Sequence, residues 1–248
     1  MKELVSVVVP ILNPVLSTIE RRILDHCEAA LGKYSLIFVV SDQADVAGLK
    51  QAYERAVFVS FSDKYFKTRS TLASLFLMEG FYERFSWCEF LLIHELNSWI
   101  VKDELHYWCK QGYDFLRANS EREPGFFDFL GRIRGLSDQQ IQIMDTDFAG
   151  NGLFLCHIER FVNTLKRKKS EAHAYRHNAL LVHKDALFWE LEPNRFWPGL
   201  RRPTRIVQKR FSVKLSSQLR PGMNEREAWP FGLTGINDQN IEGLPHFA

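Results

Sequence analysis

Residues 4–11 read LVSVVVPI, a run that is almost entirely apolar and largely β-branched. Such a run predicts a strand covered on both faces, as in the parallel sheet of an α/β protein. Asn13 and Pro14 end the run, and Ser17 and Glu20 follow with the spacing of a capping box. A helix is therefore predicted to start there and to end at Gly32.

The alternation of strand and helix continues through the first half of the chain. Apolar runs at residues 36–40, 57–61 and 90–96 predict three more strands. Helices are predicted at residues 45–56, 68–85 and 103–109. This repetition predicts right-handed crossovers, a mainly parallel central sheet and helices on both of its faces. The second half is less regular, and residues 120–147 are predicted to be loop-rich.

The composition argues against several classes of protein. The 248 residues carry a net charge of only +2, which gives no reason to expect nucleic-acid binding. The four cysteines form no CxxC pair, so we expect buried, reduced thiols and no zinc site. No apolar run approaches the ~20 residues that cross a bilayer, so a soluble, cytoplasmic protein is expected. HExxH and GxSxG motifs are absent from the sequence.

Polar residues follow the predicted strands at three places, residues 10–13, 41–45 and 95–99. The carboxyl ends of strands in such sheets are where ligands bind. The candidates there are Pro10, Asn13, Asp42, Asn97 and Ser98. The polar end of the fourth strand has the chemistry to hold a diphosphate, a metal or a ribose. The alternative is a strand end that faces solvent.

Two further candidates lie in the second half. The Gly150-Asn151-Gly152 segment allows backbone N–H groups to approach a ligand closely, although a plain turn is the alternative. Asp185 precedes Phe188 and Trp189, and a carboxylate beside aromatic residues can act as a general base in a cleft. The alternative for Asp185 is a helix N-cap.

Basic residues are concentrated at 166–169 and 195–210. These stretches are either solvated faces or a patch that holds the protein on an anionic membrane surface.

A series of short motifs, in order and with characteristic spacing, resembles a bacterial family of glycosyltransferase-like proteins. That family carries a "domain of unknown function" label and is linked to surface-polysaccharide synthesis. The motifs are Tyr65-Phe66-Lys67, Gly80-Phe81-Tyr82-Glu83-Arg84-Phe85, FLLIHELN at 90–97, Asp103-Glu104-Leu105, Trp108-Cys109, Gly112-Tyr113-Asp114 and Gly150-Asn151-Gly152. Further matches lie at residues 185–189, 211–213 and 230–232.

The resemblance implies one GT-A-like domain over residues 1–248, with a nucleotide-binding half at 1–117 and an acceptor-side half at 118–248. It implies a glycosyltransferase that moves a sugar from a nucleotide-sugar to a surface polysaccharide or another glycan, including a lipid-linked one. Asp185 matches the family's acidic position and is the implied base for the acceptor hydroxyl. The implied donor-binding residues are Pro10, Asn13, Asp42, Arg69, Asn97 and Ser98, and Gly150, Asn151 and Gly152 are implied on the acceptor side.

The sequence departs from this family at the positions implied to hold Mn²⁺ or Mg²⁺. The family usually reads Gln-Leu-Asp-Ala where this chain reads Glu95-Leu96-Asn97-Ser98, and Asn97 is neutral and a poorer ligand for a hard cation. After Pro-Phe-Gly the family has a histidine, where this chain has Leu233 and Thr234. A divalent cofactor is therefore disfavoured, and Arg69 or Lys184 is expected to replace its charge.

Two functions remain open from the sequence. One is a metal-independent glycosyltransferase at the cytoplasmic face of the inner membrane, with peripheral contact through the basic stretches. The other is a non-catalytic relative that binds a glycan, a nucleotide or a partner enzyme.

Overall fold

The strands and helices are defined in a computed structural model that describes residues 2–118, 152–193, 199–215 and 229–244. Within these residues the strands are β1 (Glu3–Pro10), β2 (Ser35–Ser41), β3 (Val57–Phe61), β4 (Cys88–His94), β5 (Ser98–Ile100), β6 (Phe115–Arg117), β7 (Leu153–His157), β8 (Ser212–Lys214) and β9 (Gly232–Thr234). The helices are α1 (Thr18–Leu31), α2 (Ala47–Ala52), α3 (Arg69–Leu75), α4 (Glu79–Glu83), α5 (Leu105–Lys110), α6 (Ile158–Arg167), α7 (Lys169–His177), α8 (Lys184–Leu191) and α9 (Arg205–Phe211). Short 3₁₀ turns lie at Asp63–Tyr65 and Ile241–Gly243.

The main sheet has the strand order β3-β2-β1-β4-β7-β6. Strands β1 to β4 are parallel to one another, whereas β7 runs antiparallel to β4 and to β6. The predicted mainly parallel sheet is therefore confirmed. Because the parallel strands end at one edge, the loops after Pro10, Ser41 and His94 lie together there. Strand β7 begins at the same edge, since Leu153 pairs with His94.

Helices cover both faces of the sheet, as the sequence predicts. Side chains alternate along a strand, so Val7 of β1 packs into a core with Leu24 of α1. Val8 faces the opposite core, which contains Phe81 of α4 and Phe161 of α6. The four cysteines are free and buried, as expected from the sequence.

A second, smaller sheet has the order β5-β9-β8 and packs beside α1. His26 of α1 stacks on Trp99 of β5 with ring centroids 3.6 Å apart. The His26 Nε2 atom also lies 2.6 Å from the carbonyl oxygen of Ile100. These contacts fix the segment that joins β4 to β5, which contains Glu95 and Asn97.

The start of α1 confirms the predicted capping box. Ser17 and Glu20 each accept a hydrogen bond from the backbone N–H of the other, and Gly32 caps the end of the helix. The helices predicted at residues 45–56 and 103–109 begin two residues later, because Asp45 and Asp103 accept from the N–H groups of the residues two positions on. The end predicted for the first of them is wrong, because α2 already stops at Ala52.

The single helix predicted at residues 68–85 is wrong, because the chain forms α3 and α4 with a turn between them. In one straight helix, Phe81 and Phe85 would point away from the face that carries Leu72 and Phe76. The turn at Leu77 brings all of these side chains into the same core. Among the described helices, none combines the length and apolarity needed to cross a membrane.

Candidate functional site

Three candidate donor-binding residues follow β1 and β2 at the carboxyl edge of the sheet. Pro10 is the buried last residue of β1, and Asn13 is exposed just beyond it. The Asn13 side chain accepts a hydrogen bond from the Val15 N–H. Asp42 is exposed, and its carboxylate accepts from the Asp63 N–H at 3.0 Å. The structure therefore places these residues on neighbouring loops, where Asn13 and Asp42 also shape the local backbone.

The polar end of β4 is not a solvent-facing strand end, so that alternative is wrong. Glu95 and Ser98 are buried and Asn97 is partly buried. The Glu95 N–H donates to the Gly152 carbonyl at 2.7 Å, and the Asn97 carbonyl accepts from the Ile236 N–H at 2.9 Å. The Ser98 hydroxyl lies 3.3 Å from Asn97 Oδ1.

Gly152 lies against this strand end, whereas Gly150 and Asn151 lie outside the described residues. A Cβ atom on Gly152 would be 2.0 Å from Asn97 Oδ1 and 2.7 Å from Glu95 Cβ. Such distances are far inside van der Waals contact, so only glycine fits. Gly152 thus allows a close approach to Asn97 and Glu95 of the chain itself, and the approach of this segment to a ligand stays a prediction.

A buried ion-pair cluster lies next to Glu95. Arg69 is the first residue of α3, whose start is fixed by a capping box between Thr68 and Thr71. The two terminal nitrogens of Arg69 donate to the two carboxylate oxygens of Asp185 at 3.3 and 3.1 Å. One of them also lies 2.9 Å from Glu95 Oε1. The side chains are 18% exposed for Arg69, 12% for Glu95 and 3% for Asp185, so the cluster is largely withdrawn from water.

The electrostatics of this cluster are set by burial and by its own charges. Burial lowers the pKa of Arg69, but the charges of Asp185 and Glu95 raise it by more, so the guanidinium stays charged. Burial raises the pKa of Glu95, while Arg69 opposes that shift. One cation thus faces two buried carboxylates, and the cluster is stable only while the guanidinium is present.

Asp185 is not an N-cap, because His183 precedes α8 in that position and Asp185 lies within the first turn. Its carboxylate faces Arg69 instead. The neighbouring Lys184 is buried, and its ammonium donates to the carbonyl oxygens of Arg176 and Asn178. These bonds tie Lys184 to the end of α7, so Arg69 is the better candidate for a charge beside β4.

Glu95 is the residue of the cluster to which the sequence pattern assigned no role. The sequence did contain a signal for it. In the pattern of the resembled family, position 95 is glutamine and position 97 is aspartate, so Glu95 adds a negative charge close to where Asn97 removes one. Only the three-dimensional contact with Arg69 shows what that charge meets.

The residues at the implied metal positions do not fit a divalent cation. Asn97 and Thr234 are close in space, because Ser98 pairs with Thr234 between β5 and β9. Their donor atoms are an amide and a buried hydroxyl without a hydrogen-bond partner among the described residues. Glu95, the nearest carboxylate on the strand end, is already paired with Arg69. Over the described ranges, no group of three His, Cys, Asp or Glu side chains could hold a metal ion.

The strand order and the polar carboxyl edge define a Rossmann-like α/β fold of the GT-A type. The structure is similar to that of the galactosyltransferase LgtC in complex with donor and acceptor sugar analogs, with a TM-score of 0.56, 12% identity and coverage of 94% of this chain and 87% of that one. An active-site mutant of LgtC gives a TM-score of 0.55 at the same identity and coverage. A weaker likeness, with a TM-score of 0.43, 6% identity and coverage of 74% and 69%, is to core-mannan synthase A from Aspergillus fumigatus. At these identities the likeness shows the fold.

The chain belongs to the family described as "Protein of unknown function (DUF5672)", whose profile matches residues 55–234. Among curated proteins, none matches this chain.

Proposed function

We propose that the protein is a glycosyltransferase that binds a nucleotide-sugar at the carboxyl edge of β1, β2 and β4 and transfers the sugar without a metal ion. The observation that carries the proposal is the buried Arg69, held by Glu95 and Asp185 next to Asn97. The fold supports the proposal, because the similar LgtC is a galactosyltransferase with donor and acceptor sugar analogs bound.

The chemistry of sugar transfer requires positive charge at this place. The leaving nucleoside diphosphate gains negative charge as the bond to the sugar breaks, and fixed cations or N–H donors stabilise it. The terminal nitrogens of Arg69 contact Asp185 and Glu95, but its Nε–H donates to no described residue. We propose that this N–H and the Arg69 charge face the diphosphate, with Asn97 and Ser98 as neutral donors beside it.

The role of Asp185 follows from its contacts. Both of its carboxylate oxygens accept from Arg69, and only 3% of the side chain is exposed. These are the contacts of a residue that holds Arg69 in place, so we propose a positioning role. The role of general base, implied by the family resemblance, stays a prediction, and the variant Asp185→Asn tests it.

The variant Asp185→Asn separates the two roles. If Asp185 positions Arg69, the KM for the donor rises, the melting temperature falls and the pH profile of kcat keeps its shape. If Asp185 is the base, kcat falls by roughly 10²–10⁴-fold with donor affinity unchanged, and the acidic limb of the profile is lost.

The acceptor is proposed from the family resemblance alone. We propose a glycan of a surface polysaccharide, free or lipid-linked, met at the cytoplasmic face of the inner membrane. Part of the charge of the basic stretches is paired within the chain. Lys166 and Lys168 pair with Glu83 and Glu171, and Arg201 pairs with Asp114.

The first experiment is a thermal-shift titration with a panel of nucleotide-sugars and free nucleotides, each with Mn²⁺ and with excess EDTA. A ligand at 100 times its Kd stabilises the folded state by about 2.7 kcal/mol, which is readily measured. We expect stabilisation by one nucleotide class, equal in Mn²⁺ and in EDTA, and sugar transfer or donor hydrolysis in EDTA. Stabilisation that requires Mn²⁺ would contradict the metal-independent mechanism.

The alternative is a non-catalytic relative that binds a glycan, a nucleotide or a partner enzyme. The substitutions at Asn97 and Thr234 favour it, because they remove both implied metal positions. Nucleotide binding without any transfer or hydrolysis would support this alternative. If no nucleotide binds, the alternative is narrowed to a relative that binds a glycan or a partner enzyme.

A further inference from the structure

A basic cleft lies between the 3₁₀ turn Asp63–Tyr65 and helices α3 and α7, and the proposed sugar transfer gives it no role. Its volume is about 470 Å³, within the range of small-molecule sites. Four side chains that are cationic or become so on protonation line it: Lys64, His173, Arg176 and His177. No aspartate or glutamate is among the lining residues.

The positive groups of the basic cleft have no counter-ions in the part of the chain that the structure describes. The Arg176 guanidinium has one long contact, at 3.5 Å, with the Leu77 carbonyl. The Lys64 ammonium lies 5.0 Å from the centroid of the Tyr65 ring, and the two histidine rings are 4.2 Å apart. Three other lysines of the described residues, Lys67, Lys166 and Lys168, are by contrast ion-paired. The charge in the cleft is thus left for a ligand.

The basic cleft is also lined by neutral hydroxyl groups, those of Tyr65 and Ser74 among them. The Tyr65 hydroxyl lies 2.9 Å from the Met78 sulfur, which is only a weak acceptor, so it is available to a better one. The Ser74 hydroxyl of α3 lies 3.2 Å from the Ser70 carbonyl of its own helix and 3.4 Å from the Arg176 carbonyl, so α7 packs closely against α3 here. The backbone that carries Arg176 is therefore held against the opposite wall of the cleft.

We propose that the basic cleft binds a phosphate group of a small-molecule or lipid ligand. Arginine offers a planar fork of N–H donors that matches phosphate oxygens, and lysine adds a point charge. The basic cleft is separate from the donor edge, because none of the three residues of the ion-pair cluster, Arg69, Glu95 and Asp185, lines it. The proposal of phosphate binding in the basic cleft therefore does not depend on the proposed sugar transfer.

The test is calorimetric titration of the purified protein with inorganic phosphate and with glucose 6-phosphate. Vesicles of phosphatidylcholine, with and without phosphatidic acid, provide the lipid arm. We expect Arg176→Gln to weaken phosphate binding by about tenfold or more, because a charge-assisted contact is lost. Lys64→Gln, at an exposed position that does not endanger the fold, should weaken it by a smaller factor. The matched control Arg22→Gln removes a charge that pairs with Glu242, away from the cleft, and should change nothing.

The outcomes decide both the site and the source of the phosphate. Tighter binding of glucose 6-phosphate supports a soluble ligand, and binding only to vesicles with phosphatidic acid supports a lipid one. The proposal is overturned if the wild-type protein binds none of the probes. It is also overturned if both cleft variants bind like the wild type, or if Arg22→Gln weakens binding as much as they do.

Discussion

Removal of the Arg69 charge should destabilise the protein strongly and in a pH-dependent way. The variant Arg69→Met keeps most of the side-chain length beside Phe76 but leaves Glu95 and Asp185 buried without their cation. Loss of one partner from a buried ion pair costs about 3–5 kcal/mol. For a chain of this size that corresponds to a fall in melting temperature of about 6–20 °C at pH 7.

The pH dependence follows from Glu95. Burial raises its pKa above the ordinary value of 4.5, so the folded state holds this proton to higher pH than the unfolded chain does. The folded state binds more protons in that window, and stability therefore falls as pH rises through it. Arg69 lowers the pKa of Glu95, so its removal raises the folded-state pKa further and extends this pH range upward. The deficit of Arg69→Met should consequently be smaller at pH 5 than at pH 7.

Urea denaturation at the two pH values measures this effect, with two further variants as controls. Arg22→Met removes the cation of an exposed pair with Glu242 and should cost no more than about 1 kcal/mol. The triple variant Arg69→Met, Glu95→Gln, Asp185→Asn should regain much of the lost stability, because it leaves no charge in the ion-pair cluster. A deficit equal at both pH values, or no larger than that of Arg22→Met, would refute the reasoning.

Three other predictions concern packing, capping and thiol reactivity. Gly152→Ala should destabilise the protein by about 1–3 kcal/mol in urea unfolding, because its Cβ would overlap Asn97. The control is Gly48→Ala, where the new Cβ meets open space in a helix, and it should be neutral or stabilising in the same assay. Ser17→Ala removes a capping-box hydroxyl and should cost about 1 kcal/mol in urea unfolding, and an unchanged midpoint would contradict the cap. The four buried cysteines should resist a thiol reagent such as DTNB until the protein is unfolded, and rapid labelling of the native protein would contradict their burial.

The strands of the main sheet could be predicted from local sequence because each carries its own signal. Strands β1, β2 and β4 are buried over most of their length, so each contains a long apolar run, and the partly exposed edge strand β3 still carries a short one. The helix break between α3 and α4 could not be predicted in this way. A propensity pattern does not show that Leu77 and Phe81 must enter the same core as Leu72.

The candidate site was predictable as a place but not as a set of contacts. Strand ends mark the carboxyl edge, so Asn97 and Ser98 could be chosen from the sequence. The Arg69 contact with Asp185 joins residues 116 positions apart, and no local pattern encodes it. The glycine segment was predicted to approach a ligand, whereas the contact that requires glycine at position 152 is with Asn97 of the chain itself.

The two positions implied to hold a metal, Asn97 and Thr234, are neighbours, so both substitutions affect the same place in the structure. Asn97 and Thr234 lie on adjoining parts of the β4–β5 segment and β9, so a cation held by one position would have been near the other. A divalent ion at Glu95 would also have to compete with Arg69, which already lies 2.9 Å from that carboxylate. A site with a fixed guanidinium already carries a cation, so an aspartate or a histidine that served only a metal would add a buried polar group with no charge of the chain left to meet it. The presence of Arg69, the neutral Asn97 and the small buried Thr234 are therefore mutually consistent, and together they favour a site whose positive charge is part of the chain.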